Sequence, residues 1–132
     1  MAWLNEQNIR KGINFIGREN LSLARSSFQM NAPLDEDTYL TPSQQTMLRS
    51  RTQAIDIISP NIDIVLNADQ GDGSTKFIHP YYSSNNMGKP DRWAKLIDAS
   101  VAFMQTYYPA HNIVAVSPFN EPDYVYWHEG TL

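Results

Sequence analysis

The sequence predicts an α/β fold in which helices alternate with parallel strands. Three observations carry that expectation. Runs rich in β-branched and apolar residues recur near positions 21–29, 62–67 and 113–119. Before each run, apolar residues recur at helical spacing, and the second and third of these helices begin with Thr41-Pro42 and Pro90-Asp91. Such alternation calls for right-handed crossovers and a parallel sheet, because a helix between two strands returns the chain to the same end of the sheet.

Taken in order, residues 4–16 read as a helix with Ile9, Ile13 and Ile16 as its apolar stripe and Glu6, Arg10, Lys11 and Asn14 on its other faces. Gly17 is placed to end it. Residues 21–29 have period-two character and form the first strand. A polar link with Pro33 and the acidic trio Asp35, Glu36 and Asp37 follows, expected as a solvated loop. Thr41 then supplies an N-cap, Pro42 the first helical position and Gln44 the capping-box position. Leu48, Ile55 and Ile58, flanked by Met47 and Ala54, make the buried stripe of this second helix, with Arg49, Arg51 and Gln53 towards water. Ser59-Pro60 stops it.

The second strand covers 62–67 and runs into a polar, glycine-rich loop, 67–74, that continues through Phe77, His79, Tyr81 and Tyr82 to Lys89. A calcium loop of the helix-loop-helix type needs oxygen ligands at alternate positions and Gly at the sixth, and this spacing fails. The third helix has Trp93, Ile97, Val101, Met104 and Tyr108 at intervals of three or four, widened by Leu96, which places Trp93 in the core. Pro109 ends it. The final strand, 113–119, begins as an unbroken apolar run, the pattern of a strand buried on both faces.

Composition narrows the function classes. The chain has 132 residues and a net charge of −4, with no basic stripe. Nucleic acid and anionic membranes are therefore poor partners, and a neutral substrate fits better. Seven Tyr, five Phe and three Trp suit sugar recognition and a packed core equally. There is no Cys, which excludes disulfides and Cys-based zinc sites and leaves the redox compartment unread. No stretch approaches the roughly 18–20 apolar residues of a membrane span, and the N-terminus lacks the apolar core of a signal peptide.

The chemistry concentrates where the last strand ends. Asn120-Glu121-Pro122 holds a carboxylate at a rigid strand end, the place where loops line the active face of an α/β barrel. An Asn-Glu-Pro that closes a strand resembles the acid/base motif of clan A, the superfamily of retaining glycoside hydrolases built on a (β/α)8 TIM barrel. The longer string Val-Ser-Pro-Phe-Asn-Glu-Pro at 116–122 looks closest to the family-thirty branch, which includes glucosylceramidases, xylanases and β-1,6-glucanases, although Phe119 stands where that branch commonly has Gln.

The resemblance implies that the motif ends the fourth barrel strand, so that the predicted strands are numbers two, three and four. A complete barrel takes about 250 residues. One incomplete barrel segment spanning 1–132 is expected, a fragment of a longer reading frame and inactive alone. The nucleophile of the resembled enzymes comes from strand seven, which has no counterpart here. The resemblance makes Glu121 the general acid/base, Asn120 the partner of a sugar 2-hydroxyl, and Arg25 the second-strand arginine that contacts the nucleophile. It implies a secreted or periplasmic setting, a carbohydrate substrate with β-linked bonds, no nucleic acid or membrane partner, and no metal or other cofactor.

Further candidates for sugar contact are Asn67 and Asp69 after the second strand, and Tyr124 and Trp127 just past the motif. Each has a plainer reading. Glu121 could cap a following helix or pair with an Arg, Arg25 could bond loop carbonyls, and Asn67 and Asp69 could be turn-makers. His79, His111 and His128 have no triad or zinc spacing and are expected on loops or the surface. A non-catalytic carbohydrate-binding or scaffold protein with a barrel-type fold is the alternative to an enzyme.

Overall fold

The computed structural model describes residues 5–30, 32–69, 79–84 and 87–118. Helix α1 (Glu6–Ile16) leads through a single 3-10 turn (Arg18–Asn20) into β1 (Leu23–Gln29). Helix α2 (Pro42–Ile58), β2 (Asp63–Asp69), a two-residue antiparallel ladder of β3 (Ser83–Ser84) and β4 (Met87–Gly88), helix α3 (Pro90–Tyr107) and β5 (Ile113–Ser117) follow. Strands β1, β2 and β5 form one parallel sheet in that order, so helix-strand alternation gives an α/β fold.

The capping chemistry sets the helix bounds. Asn5 accepts from the Asn8 N–H at 2.8 Å to begin α1, and Gly17 ends it at φ 87°, a left-handed conformation that glycine adopts without a Cβ clash. At α2 the Thr41 and Gln44 box is complete: Gln44 Oε1 accepts from the Thr41 N–H at 2.9 Å and Thr41 Oγ1 accepts from the Gln44 N–H. Both α2 and α3 start on a proline, whose missing N–H costs nothing in a first turn.

Alternation along the strands sends one set of side chains towards α2 and α3. Phe28, Ile64, Leu66 and Ala68 are buried there with Leu48, Ile55, Trp93, Leu96, Phe103 and Met104. The buried hydroxyls of this layer are satisfied: Ser26 Oγ and Thr52 Oγ1 are 3.0 Å apart, Thr52 also donates to the Leu48 carbonyl at 2.9 Å, and Ser100 donates to the Leu96 carbonyl at 2.7 Å. A buried hydroxyl without a partner would cost about 1–3 kcal/mol, so the Ser26 and Thr52 pair fixes how α2 sits on β1.

The opposite face of the sheet is exposed at its amino end and buried towards its carboxyl end, where Asn67 is 4% and Gln29 5% exposed. Register places Arg25, Val65 and Ala115 in one row and Ser27, Asn67 and Ser117 in the next, with Gln29 beside Asp69 at the carboxyl edge. Leu23, Arg25 and Ala115 are exposed. This corrects the expectation for the last strand, which is not buried on both faces. Between Ile64 and Val65 the pairing with β5 shifts, leaving Val114 outside the register and 47% exposed, while Ile113 and Val116 pack on the core.

The α1 stripe is also narrower than its spacing predicts. Ile13 is buried, but Ile16 is 55% and Phe15 92% exposed, because α1 meets the rest of the described chain only along one side of α2. Leu66→Ala is expected to cost about 2–5 kcal/mol and Thr41→Ala about 1 kcal/mol, read as a drop in urea midpoint at unchanged slope. Phe15→Ser, at an exposed position, should change the midpoint by no more than about 0.5 kcal/mol equivalent.

Candidate functional site

In a parallel sheet the strands end at one edge, and of the sequence candidates the described residues place Asn67 and Asp69 near that edge of β2. Asn67 lies in the penultimate row of β2, 4% exposed, with its Nδ2 donating to the Ala68 carbonyl at 2.6 Å. Asp69 is the last residue of β2 and opposes Gln29 in register. Arg25 stands two rows back on the second face, exposed, and forms no ion pair among the described residues. Arg25 and Asn67 thus share one side of the sheet by their odd-numbered positions in register. Asn120, Glu121, Tyr124 and Trp127 lie outside the described residues. β5 ends at Ser117, four residues before Glu121.

Behind this edge, the loop after β1 is tied down by contacts that spacing did not reveal. Gln44 does more than cap its helix: its Nε2 donates to the carbonyls of Gln29 and Ala32, each at 3.1 Å, so one side chain joins the end of β1 to the start of α2. The Tyr82 hydroxyl lies 3.5 Å from the same nitrogen, and Tyr82 is fully buried, edge-on to Tyr81 with ring centroids 4.7 Å apart. Burial pushes the Tyr82 phenol up to about 12. The His79 N–H donates to the Met30 carbonyl at 3.0 Å, which brings the segment before α3 against the end of β1.

Asp37 is the second anchor. Its carboxylate accepts from Lys95, Arg92 and the Tyr81 hydroxyl, joining the loop after β1 to α3 and to the segment before it. The Lys95 and Tyr81 hydrogen bonds, with the two cations nearby, hold this carboxyl below its ordinary value. The acidic link is therefore not merely solvated, as its composition implied: Asp35 and Glu36 are exposed, but Asp37 is engaged. Glu36 and Asp37 both adopt positive φ, 48° and 60°, a conformation that costs non-glycine residues energy and that Asp tolerates better than most. A bridge between Asp35 and Tyr39 closes the turn around them.

His111 lies on the loop between α3 and β5 but is not at the surface: it is 7% exposed, with Nδ1 2.9 Å from the Ile62 carbonyl and Nε2 2.7 Å from Asp56. It bridges the end of α2, the entry to β2 and the entry to β5, at the amino end of the sheet. That position gives it a structural task remote from the carboxyl edge. His79 is half-buried and its Nδ1 accepts from the Tyr81 N–H at 3.1 Å. Among the described residues no group of three potential ligands gathers to hold a metal ion, and no helix is long and apolar enough to cross a membrane.

No protein-family model, curated protein or solved structure matches the chain. The site is therefore read from its own geometry.

That geometry offers a polar sheet face, exposed around Arg25 and buried at Asn67 and Gln29, backed by a loop fastened through Gln44 and Asp37. The Asp37 anchor carries a pH signature. Because its folded-state value is depressed, the contribution is complete above the unfolded value of about 4 and disappears as pH falls through the lower folded value. Wild type is thus expected to exceed Asp37→Asn in stability at neutral pH, with the gap closing in acid below about pH 4, as measured by denaturant unfolding at a series of pH values. Tyr82 acts at the other end. Its raised value means stability is lost as pH rises above about 10, and Tyr82→Phe should remove that alkaline component.

Proposed function

We propose that this chain forms part of the catalytic domain of a retaining glycoside hydrolase of clan A, with Glu121 as the general acid/base and β-linked glycosidic bonds as its target. The observation that carries the reading is the position in sequence of Asn120-Glu121-Pro122, three residues past the end of the third strand of a parallel sheet built by helix-strand alternation. In such sheets, groups that follow the strand ends face the ligand, whatever the fold's particular chemistry. The proposed architecture is a (β/α)8 barrel in which β1, β2 and β5 are strands two, three and four and the second face of the sheet turns inward. Inward-facing side chains fill such a barrel in layers, which accords with a sheet whose second face carries Arg25, Val65 and Ala115 only partly covered.

In the proposed reaction Glu121 is protonated at the start and gives its proton to the glycosidic oxygen as the bond to the anomeric carbon breaks. A second carboxylate, about 5–5.5 Å away, attacks that carbon to form a glycosyl-enzyme ester. Water then hydrolyses the ester, its proton returning to Glu121. The second carboxylate is assigned to strand seven, beyond these residues. Arg25, on the face that would turn inward, is suited to hold it ionised by its positive charge. Asn120 is assigned to the sugar 2-hydroxyl, and Asn67, Asp69, Tyr124 and Trp127 to the walls of the cleft. A net charge of −4 with no basic patch accords with a neutral carbohydrate.

The test is expression of the reading frame extended through strand seven and assay on β-linked xylan, glucans and aryl glycosides. Hydrolysis is expected with retained anomeric configuration, followed by NMR. Glu121→Gln should lower kcat at least about 100-fold with substrate affinity preserved. Unchanged turnover in that variant, or an extended protein that binds these sugars without hydrolysing them, would sink the catalytic assignment.

A further inference from the structure

A cleft of 540 Å3 lies on the helix-covered side of the sheet, between the loop after β1 and the solvent-facing surface of α3. Its volume falls in the range of small-ligand sites, about 300–1,000 Å3. Leu40 and Phe103 give it an apolar lining, and Lys95, Asp37 and Asp98 add one cation and two anions. Two aromatic side chains stand in it with unusual exposure for their size: Tyr39 at 62% and Tyr107 at 50%. One exposed aromatic needs no explanation, but two sharing a cleft form an apolar surface with a use.

Both rings are carried on backbone that is already ordered. The Asp35 N–H donates to the Tyr39 carbonyl at 2.7 Å and the Tyr39 N–H to the Asp35 carbonyl at 2.9 Å, around the turn in which Glu36 and Asp37 take positive φ. Asp37 fastens that turn to α3 through Lys95 and Arg92. Tyr107 is steadied by the Arg49 guanidinium, 4.1 Å from its centroid, and by the Phe103 ring at 4.7 Å. Rings held in this way lose little freedom when a ligand arrives, which is how tyrosine-rich binding surfaces gain affinity.

The charges decide what the ligand is. The two carboxylates, Asp37 and Asp98, are matched in number by two cations, Lys95 in the lining and Arg92 paired with Asp37, so the cleft selects neither anion nor cation. A pyranose ring matches this pattern. Its faces present C–H groups that stack on aromatic rings, and its edge presents hydroxyls that donate to a carboxylate such as Asp98 or accept from an ammonium such as Lys95. We infer that the cleft binds neutral pyranose units stacked on Tyr39 and Tyr107, as a second carbohydrate site separate from the one proposed around Glu121.

The experiment is an NMR titration of the 132-residue chain with cellohexaose, laminarihexaose and xylohexaose, each to about 10 mM, beyond the millimolar Kd of a weak site. At least one should shift the ring resonances of Tyr39 and Tyr107. Tyr39→Ala, at an exposed position, should weaken that binding at least about tenfold. Ala102→Glu, which places a carboxylate in the cleft from an exposed helical position, should do the same without touching the core. Glu121→Gln should leave these shifts and their Kd unchanged, so failure of the catalytic reading and failure of this one are distinguishable. No shift with any of the three sugars, or an unaltered Kd in either cleft variant, would overturn the inference.

Discussion

The alternation of side chains in β1 and β2 is the constraint from which the rest of the structure follows. Even-numbered positions Ser26, Phe28, Ile64, Leu66 and Ala68 are committed to α2 and α3, which leaves odd-numbered Arg25, Ser27, Val65 and Asn67 on the other face. A slip of one residue would exchange those sets and place an arginine and an asparagine among leucines, at a cost no packing in a domain of this size could offset. The Ser26 and Thr52 hydroxyls make the register stricter still, because each satisfies the other only in this alignment.

Fastening of the loops follows from the same frame. The chain leaves β1 at Gln29 and must reach Thr41 across the edge where ligands approach parallel sheets. It does so with buried apolar residues at Met30, Leu34 and Leu40 and with two polar anchors, the Gln44 amide and the Asp37 carboxylate. Backbone strain at Glu36 and Asp37 is tolerated because both ends of the turn are held by hydrogen bonds. The result is a rigid rim at the carboxyl edge and, on its outer side, the aromatic cleft. One turn therefore shapes both the approach to the sheet and the surface beside it.

Much of this was legible in the sequence, for identifiable reasons. Helix starts at Pro42 and Pro90, the stop at Gly17 and the three parallel strands are local features, written in cap residues and in periods of two and 3.6. What escaped was long-range. Nothing near His111 in sequence foretells Asp56 or the Ile62 carbonyl, and nothing near Asp37 foretells Lys95, because those pairs are made only when helices dock. Tyr82 looked like part of a polar loop, whereas its ring completes the core under Trp93. The bulge opposite Ile64 is invisible in an apolar run and explains why Val114, β-branched and apolar, faces water. Glu121, on which the proposed catalytic reading turns, is singled out by its motif and lies outside the described residues.

The sheet has a further consequence for handling the protein. Within the described residues β1 and β5 each pair on one side only, so the outer flank of each presents a row of amides and carbonyls able to hydrogen-bond to another strand. On β1 the exposed Arg25 guanidinium discourages lateral pairing; on β5 the irregularity at Val114 breaks the straight run that a foreign strand would need. Concentrated preparations are thus protected from strand-to-strand self-association chiefly by local distortion and a single positive charge.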